Sequence, residues 1–346
     1  MRLPFLNECR AICQIALLGG VLFLAACVPA AERPSVEIPT QAAAAMVSTS
    51  MPAAAVASPP IAASAFTAVP PSPTFTAVPS LTPLPTPTLS PTLTPTPCPS
   101  GEIRTGTFFS GVTEEENKYR IYLPPCYGDG RQYPTLYLFG GNTHDDSAWD
   151  DYGMDETAEA LIRSGDIPPM LLVMVDGGWI ANTTSGGPGS YEDHILNYLI
   201  PFIEANYCVW AEPAGRAIGG LSRGGYWSLE IAFRQPEMFV SVGGHSAALI
   251  DSHAGPERSP RVTGLANDLG DLRIYLDMGA DDYLLPNTLK LHEDMAAQGI
   301  PHTWILNEGA HEDSYWPQHL AEYLLWYGEP WSLDRSSYPV CALEPS

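Results

Sequence analysis

The chain of 346 residues carries a formal net charge of −23, and only 16 of its residues are lysine or arginine. An acidic surface without a basic cluster argues against binding to nucleic acids or to other anionic polymers. The length allows one sizeable folded domain, and the composition changes twice along the chain before that domain begins.

Residues 1–27 have the composition of a signal peptide. Arg2 and Arg10 flank a short charged head, and the apolar run over residues 15–26 is too short to span a bilayer comfortably. The run closes on Leu24-Ala25-Ala26-Cys27, which resembles the lipobox of bacterial lipoproteins, and this resemblance implies a lipidated Cys27. An ordinary signal peptide and an uncleaved anchor are the alternatives. In each case we expect the chain to leave the cytoplasm, and lipidation predicts an extracytoplasmic cell-envelope protein held at the membrane.

Residues 28–100 are dominated by alanine, proline, threonine and serine, and charges are nearly absent. Such a segment cannot bury enough apolar area to offset its chain entropy, and its prolines favour an extended stalk. The composition predicts a stalk that holds a folded domain, residues 101–346, away from a membrane.

Four cysteines remain outside the signal peptide: Cys98, Cys126, Cys208 and Cys341. No C-x-x-C spacing suggests zinc, so an even number in an exported domain predicts two disulfides. Three pairings are possible. We expect a Cys98–Cys341 bridge, which would pin both ends of the domain, together with Cys126–Cys208.

Hydrophobic patterns in the domain predict alternating strands and helices. The predicted strands cover residues 105–111, 119–123, 133–139, 170–176, 217–219, 239–243, 272–278 and 302–307. The predicted helices cover residues 154–163, 191–206, 287–298 and 315–326, with one more that ends before Pro236. An acidic turn over residues 114–117 would join the first two strands as an antiparallel pair. Strands separated by helices predict an α/β fold, a mostly parallel sheet covered on both faces.

The pentapeptide Gly220-Leu221-Ser222-Arg223-Gly224 lies between a predicted strand and a predicted helix. A G-x-S-x-G sequence in this setting is typical of a nucleophile elbow, which exposes the serine on a strained turn above the sheet edge. The glycines are required because a side chain on either side of the serine would collide where strand and helix nearly touch. The alternative is a glycine-rich connection with an idle serine.

Partners for Ser222 are expected in loops that leave the carboxyl ends of parallel strands. In hydrolases of this kind the serine precedes an acid, which precedes a histidine. The strand over residues 272–278 is followed by Asp281 and Asp282, and the last strand is followed by His311. A histidine that takes the serine proton, itself oriented by a carboxylate, would activate Ser222.

The remaining histidines fit this role less well. His302 starts its strand, while His292 and His319 lie in predicted helices, where we expect solvated surface side chains. His245 follows the strand after the elbow and could line the pocket. Asp277 lies within a strand and is expected to be a structural hydrogen-bond partner.

A tetrahedral intermediate also needs two hydrogen-bond donors for its oxyanion. The backbone N–H of Arg223, directly after the serine, is the first candidate. The second should come from the loop after the strand over residues 133–139, where Gly141 and Asn142 are the favoured candidates.

Several segments are similar to the sequence blocks of the putative-esterase family of α/β-hydrolases, which includes feruloyl and acetyl xylan esterases, siderophore esterases, formylglutathione hydrolases and mycolyltransferases. The similarity runs over about residues 105–326, in family order, through YPTLYLFGGNTHDDSAW, DIPPMLLVMVDG, YEDHILNYLIPFIEANY, GGLSRGG, MGADD and NEGAHEDSYW. The resemblance implies an α/β-hydrolase fold with Ser222 as nucleophile, His311 as base and Asp282 as acid. The chain departs from the family in one place, since Gly140-Gly141 stands where the family usually has His-Gly.

Other features of the loops bear on the substrate and on metal binding. Five aromatic residues on loops near the expected site could stack on a sugar or a feruloyl ring, or simply pack the domain: Trp149, Tyr152, Trp179, Tyr283 and Trp316. The acidic loop over residues 144–151 matches no calcium-loop spacing, so we expect a solvated loop and no metal site.

The lipobox resemblance and the esterase-family resemblance together imply a lipid-anchored, extracytoplasmic serine esterase that works through an acyl-enzyme and needs no cofactor. Its expected substrates are small-molecule or carbohydrate-linked esters, and no nucleic acid is expected as a partner. An acyltransferase with the same acyl-enzyme is the alternative among enzymes. A non-catalytic surface binding module is the alternative from another class.

Overall fold

A computed structural model describes residues 98–343 of the chain. The predicted signal peptide with Cys27, residues 28–97 of the predicted stalk, and residues 344–346 lie outside the described residues. Within the described part, no helix combines the length and the apolarity needed to cross a bilayer.

The described residues form one sheet of eight strands in the order β1-β2-β4-β3-β5-β6-β7-β8. The first hairpin and its pairing with β4 are antiparallel, and all other neighbours are parallel. This mixed, mostly parallel sheet confirms the predicted fold class. The strands are β1 (Glu102–Ser110), β2 (Glu115–Leu123), β3 (Thr135–Phe139), β4 (Leu171–Val175), β5 (Arg216–Leu221), β6 (Ser241–His245), β7 (Arg273–Gly279) and β8 (Thr303–Asn307).

Helices connect the strands and cover the sheet. Residues 191–206 form the predicted long helix, although its central turn is a π-helix, Ile195–Leu199. The closing helix is preceded by a short 3₁₀ turn, Trp316–Gln318. The α-helices are α1 (Ala148–Asp151), α2 (Met154–Ser164), α3 (Ile180–Thr183), α4 (Tyr191–His194), α5 (Ile200–Asn206), α6 (Arg223–Arg234), α7 (Pro260–Ala266), α8 (Leu285–Gln298) and α9 (Leu320–Gly328).

Alternate side chains of the central strands separate into two buried cores. Tyr137 and Phe139 of β3 pack on one face with α4, α5, α6 and α8, while Leu136 and Leu138 pack on the other face with α2 and α9. Successive residues of a strand point to opposite faces, so a strand buried on both sides reads as a continuous apolar run. This explains why the sequence pattern of β3 predicts a buried strand.

The prediction of an acidic turn over residues 114–117 is wrong. The strand β2 already begins at Glu115, and Ser110 pairs with Glu115, so the turn ends at Glu114. The pairing of β2 with β4 covers only residues 119–122. The charged start of β2 therefore projects beyond the sheet in a two-stranded hairpin, where polar side chains remain in water.

The predicted disulfide pairing is also wrong. The bridges join Cys98 to Cys126 and Cys208 to Cys341, with Cα–Cα distances of 5.0 Å and 5.4 Å. In the first hairpin Glu102 pairs with Leu123, which brings the residues just outside the hairpin together. The segment before Cys341 pairs with the chain at Arg131, beside the Tyr133–Cys208 backbone hydrogen bond. Each cysteine therefore forms its disulfide with the cysteine that backbone pairing brings next to it.

Two buried carboxylates on the α6 side of the sheet share one arginine. Nη1 of Arg234 lies 2.5 Å from Oε2 of Glu192 and 3.1 Å from Oε1 of Glu230, and Glu230 is fully buried. Burial, and then the charge of Glu192, raises the pKa of Glu230 from its ordinary 4.5 to about 8. Arg234 and Arg258 oppose this shift, but Arg234 divides its charge between two carboxylates, so burial prevails.

Candidate active site

Ser222 occupies the sharp turn between β5, which ends at Leu221, and α6, which begins at Arg223. Its backbone has φ 54° and ψ −116°, a conformation that is costly for a residue with a side chain. A Cβ atom on Gly220 would lie 2.5 Å from the carbonyl carbon of Gly224, and one on Gly224 would lie 2.3 Å from the carbonyl oxygen of Phe139. The predicted strand–turn–helix context and the steric need for both glycines are therefore confirmed.

The structure brings Ser222, His311 and Asp282 into one hydrogen-bonded chain. Nε2 of His311 lies 2.9 Å from Oγ of Ser222, and Nδ1 lies 2.8 Å from Oδ2 of Asp282. The Leu284 N–H donates to Oδ1 of Asp282 at 2.8 Å, and this carboxylate is nearly fully buried. A histidine placed in this way can accept the serine proton while its other nitrogen donates to the acid.

Asp281, the neighbour of Asp282, is exposed, and its backbone N–H donates to the Gly309 carbonyl. This hydrogen bond ties the loop after β7 to the loop after β8. The two loops approach closely, because a Cβ atom on Gly279 would lie 2.3 Å from the Gly309 oxygen. The backbone geometry therefore turns only the second aspartate toward His311.

Two of the three candidate oxyanion donors remain available. Arg223 is the first residue of α6, so its N–H has no acceptor within the helix. Asn142 is exposed and lines the cavity in front of Ser222. The Gly141 N–H instead donates to Nδ1 of His144 at 3.0 Å. This arrangement favours Arg223 and Asn142 over Gly141.

A cavity of about 480 Å³ lies in front of Ser222. Its wall includes α3, which is held by Arg223: Nη1 donates to Oδ1 of Asn182 at 2.6 Å and to the Gly178 carbonyl at 3.2 Å. Burial lowers the pKa of Arg223, whose side chain has no carboxylate partner among residues 98–343. The residues that line the cavity include Asn142, Asn182, Tyr226, Ile250, His253 and Tyr283.

The five aromatic residues singled out in the sequence divide into two groups. Trp149 and Trp316 are buried, and the Trp149 indole donates to the Phe139 carbonyl. Tyr152 is half-buried against Trp316. Only Trp179 and Tyr283 are largely exposed, at 59% and 74%. The ring centroid of Tyr283 lies 5.0 Å from that of His311, so this tyrosine stands at the mouth of the site.

His245 does not line the cavity. It is fully buried and hydrogen-bonds to Asp277 at 2.7 Å and to Tyr327 at 3.2 Å. Asp277 also accepts hydrogen bonds from Tyr315 and Tyr323, each at 2.8 Å, which confirms its predicted structural role. A buried polar network of four hydrogen bonds stiffens the core beneath the site.

The surface role expected for the helical histidines is only partly right. His292 stacks on Trp304 and hydrogen-bonds to His302, and His319 is half-buried beside Glu322. The candidates named from the sequence do not include His253, which lies in the cavity wall. Its ring packs on Tyr226, and burial lowers its pKa. It lies in a loop without strand or helix periodicity, and no sequence signal places it there.

The acidic loop after β3 is held by an arginine instead of being simply solvated. Asp146 and Asp150 both form ion pairs with Arg120 of β2. Within residues 98–343, no group of three or more histidine, cysteine, aspartate or glutamate side chains is arranged to hold a metal ion.

The strand order, the elbow at Ser222 and the hydrogen bonds that link Ser222 to His311 and His311 to Asp282 define an α/β-hydrolase. Residues 110–327 match a family model described as "Putative esterase", and the chain belongs to this family.

Relatives with assigned names support this membership. The chain is 35% identical over 168 residues to an esterase of Mycobacterium tuberculosis, covering 46% of this chain and 34% of that protein. It is 30% identical over 233 residues to an endo-1,4-beta-xylanase/feruloyl esterase of Xylanibacter ruminicola, covering 62% of this chain and 30% of that protein. The chain thus spans about a third of the length of these relatives.

Solved structures show the same fold. A ferulic acid esterase aligns with a TM-score of 0.62 and 25% identity, over 67% of this chain and all of that chain. A fluorophosphonate-binding serine hydrolase of Staphylococcus aureus aligns with a TM-score of 0.56 and 19% identity, over 66% of this chain and 99% of that chain.

Proposed function

We propose that this protein is an extracytoplasmic, lipid-anchored serine esterase that hydrolyses carboxylic esters through an acyl-enzyme. The observation that carries the proposal is the hydrogen-bonded chain from Ser222 through His311 to Asp282, which opens onto a cavity of about 480 Å³. Ser222 has a positive φ although it carries a side chain, and backbone strain of this kind concentrates at functional sites, which supports the same proposal.

The reaction follows from the hydrogen bonds. Oγ of Ser222 attacks the ester carbonyl while Nε2 of His311 takes its proton, and the Asp282 carboxylate steadies the imidazolium. The negative charge that develops on the carbonyl oxygen is stabilised by the N–H groups of Arg223 and Asn142. The imidazolium then protonates the departing alcohol, which leaves an acyl-serine. Water, activated by the same histidine, attacks this ester and regenerates the free serine and the acid.

Esters whose alcohol part is a carbohydrate are the substrate class that we favour. Tyr283 and Trp179 are exposed aromatic side chains on loops at the same edge of the sheet as Ser222, and aromatic faces stack on sugars and on aromatic acyl groups. The relatives named feruloyl esterase support this choice.

Covalent labelling tests the nucleophile. A fluorophosphonate probe should label the native protein at Ser222, and Ser222→Ala should abolish labelling and lower kcat by about 10³-fold or more. Ser246→Ala is a matched control, because Ser246 also has a positive φ but follows β6. An unlabelled native protein would indicate the binding module instead.

An ester panel then tests the reaction and the substrate class. Feruloylated and acetylated oligosaccharides should be cleaved with higher kcat/KM than the matching methyl esters. Products should be assayed with and without added glycerol or free sugar. A new ester formed at the expense of the free acid would indicate an acyltransferase, and equal kcat/KM for methyl and sugar esters would contradict the carbohydrate preference.

The membrane location rests on the sequence of residues 1–27, where a short apolar run ends in Leu24-Ala25-Ala26-Cys27. The native protein should fractionate with membranes and incorporate a labelled fatty acid, and Cys27→Ser should remove the label. Cys9→Ser is the matched control, because this cysteine precedes the apolar run. A Cys27→Ser protein that stays membrane-bound and lipid-labelled would contradict lipidation at this residue.

A further inference from the structure

His144 lies in the loop after β3 and folds back over the two glycines that begin this loop. A Cβ atom on Gly140 would lie 2.9 Å from Cβ of His144, and one on Gly141 would lie 2.9 Å from Nδ1 of His144. A side chain at position 140 would therefore collide with Cβ of His144, and one at position 141 would collide with its imidazole ring. The unusual Gly140-Gly141 pair is thus explained by the space that His144 occupies.

Both nitrogens of His144 are engaged. Nδ1 accepts the Gly141 N–H at 3.0 Å, so Nδ1 carries no proton and the neutral ring is protonated on Nε2. Nε2 lies 3.2 Å from the Tyr152 hydroxyl and 3.3 Å from Oδ1 of Asp313. The Tyr152 hydroxyl in turn donates to Oδ1 of Asp313 at 3.1 Å. Burial, and then the hydrogen bond to Asp313, raises the pKa of Tyr152, so this hydroxyl stays protonated.

These contacts join two loops that the reaction needs. Gly141 precedes Asn142 in the loop that faces the developing oxyanion, and Asp313 lies two residues after His311. Trp316 packs between them, with ring centroids 6.3 Å from His144 and 5.3 Å from His311, both nearly perpendicular. The side chain of His144 is only 16% exposed, so its ring is held in place on most sides.

From this geometry we infer that His144 is a positioning residue: its Nδ1 fixes the peptide at Gly141 so that the Asn142 N–H points into the oxyanion position. This inference rests on the proposed esterase function. An oxyanion donor contributes chiefly in the transition state, so its misplacement should lower kcat and leave KM nearly unchanged.

Asparagine and glutamine separate the two hydrogen bonds of His144. In His144→Asn, Oδ1 stands where Nδ1 was and can still accept the Gly141 N–H. In His144→Gln, the amide reaches toward Tyr152 and Asp313, but the Gly141 acceptor is lost. His144→Ala loses both, and the matched pair His292→Asn and His292→Gln controls for the substitutions, since His292 stacks on Trp304 outside the cavity.

We expect kcat to decrease from the native enzyme to His144→Asn, and to be lowest, and about equal, in His144→Gln and His144→Ala. Complete loss of an oxyanion donor lowers kcat by about 10²–10³-fold, and this is the upper limit for the Gln and Ala variants. We expect kcat of these two variants to fall by about 10-fold or more. The Asn variant should stay within about 5-fold of native, the size of one neutral hydrogen bond. The affinity for a boronic acid that mimics the tetrahedral intermediate should follow kcat, while KM changes by less than about 3-fold.

Any other order overturns the inference, including equal losses in the Asn and Gln variants of an active native enzyme. A native protein that hydrolyses no ester overturns the proposed function as well, which distinguishes the two failures. If the His144 variants do not fold, Gly141→Ala provides a second test, because its methyl group would lie 2.9 Å from Nδ1 of His144 and 2.9 Å from Cδ1 of Leu221, so the ring cannot keep its place unchanged. That variant should also lose kcat with little change in KM, and an unchanged kcat overturns the inference.

Discussion

Replacing Asp282 by asparagine should nearly abolish activity, because of the second hydrogen bond that Asp282 accepts. Its Oδ1 receives the Leu284 N–H at 2.8 Å, and its Oδ2 receives the proton on Nδ1 of His311 at 2.8 Å. An asparagine has one acceptor and one donor group at these positions. Its oxygen will face the Leu284 N–H, since two facing donors repel, and its NH₂ group will therefore face Nδ1.

His311 must then accept at Nδ1 and carry its proton on Nε2, which points at Oγ of Ser222. In this tautomer the ring cannot take the serine proton. The corresponding change in serine proteases lowers kcat by about 10⁴-fold, or about 5.5 kcal/mol of barrier, and we expect a loss of the same order. KM should change little, because the carboxylate is buried and lies outside the cavity wall.

The measurement is kcat and KM on a soluble aryl ester for Asp282→Asn and for its exposed neighbour, Asp281→Asn. The second variant keeps the backbone hydrogen bond from residue 281 to Gly309, so its kcat should fall by less than about 3-fold. Chemical denaturation of both variants checks that they are folded. A larger loss in Asp281→Asn than in Asp282→Asn, or less than a 10-fold loss in Asp282→Asn, would refute the tautomer argument.

Two further predictions concern stability. Burial raises the pKa of Glu230 to about 8, so between pH 4.5 and 8 the native state holds a proton that the unfolded chain releases. The free energy of unfolding should therefore fall as the pH rises from 4.5 to 8. Glu230→Gln should remove a pH-dependent loss of unfolding free energy on the order of 5 kcal/mol over this pH range, measured by urea unfolding at several pH values. An unchanged pH dependence would contradict the prediction. Replacing both Cys208 and Cys341 by serine should cost about 5 kcal/mol, and the same change at the other bridge about 3.5, because the closed loops span 133 and 28 residues. The reverse order in denaturation experiments would contradict this loop-length argument.

The strands, the serine turn and the candidate partners of Ser222 could be predicted from the sequence, because each depends on local chemistry. A strand buried on both faces must be apolar throughout, as β3 is, and a serine turn that brings strand and helix into contact must be flanked by glycines, as Ser222 is. The order of elements then predicts a parallel sheet. In such a sheet the loops after β7 and β8 open at one edge, which is why Asp282 and His311 could be named.

The tertiary structure alone decided which groups meet across the chain. The disulfide partners depend on the register of β1 with β2 and on where the C-terminal segment pairs, and neither is encoded in cysteine spacing. The hydrogen bonds of His144 to Gly141, Tyr152 and Asp313 depend on side-chain directions. These directions are set by packing between loops that are distant in sequence, since Asp313 lies 169 residues after His144. Periodicity and composition report what a residue prefers, whereas contacts of this kind exist only once the sheet has brought its loop ends together.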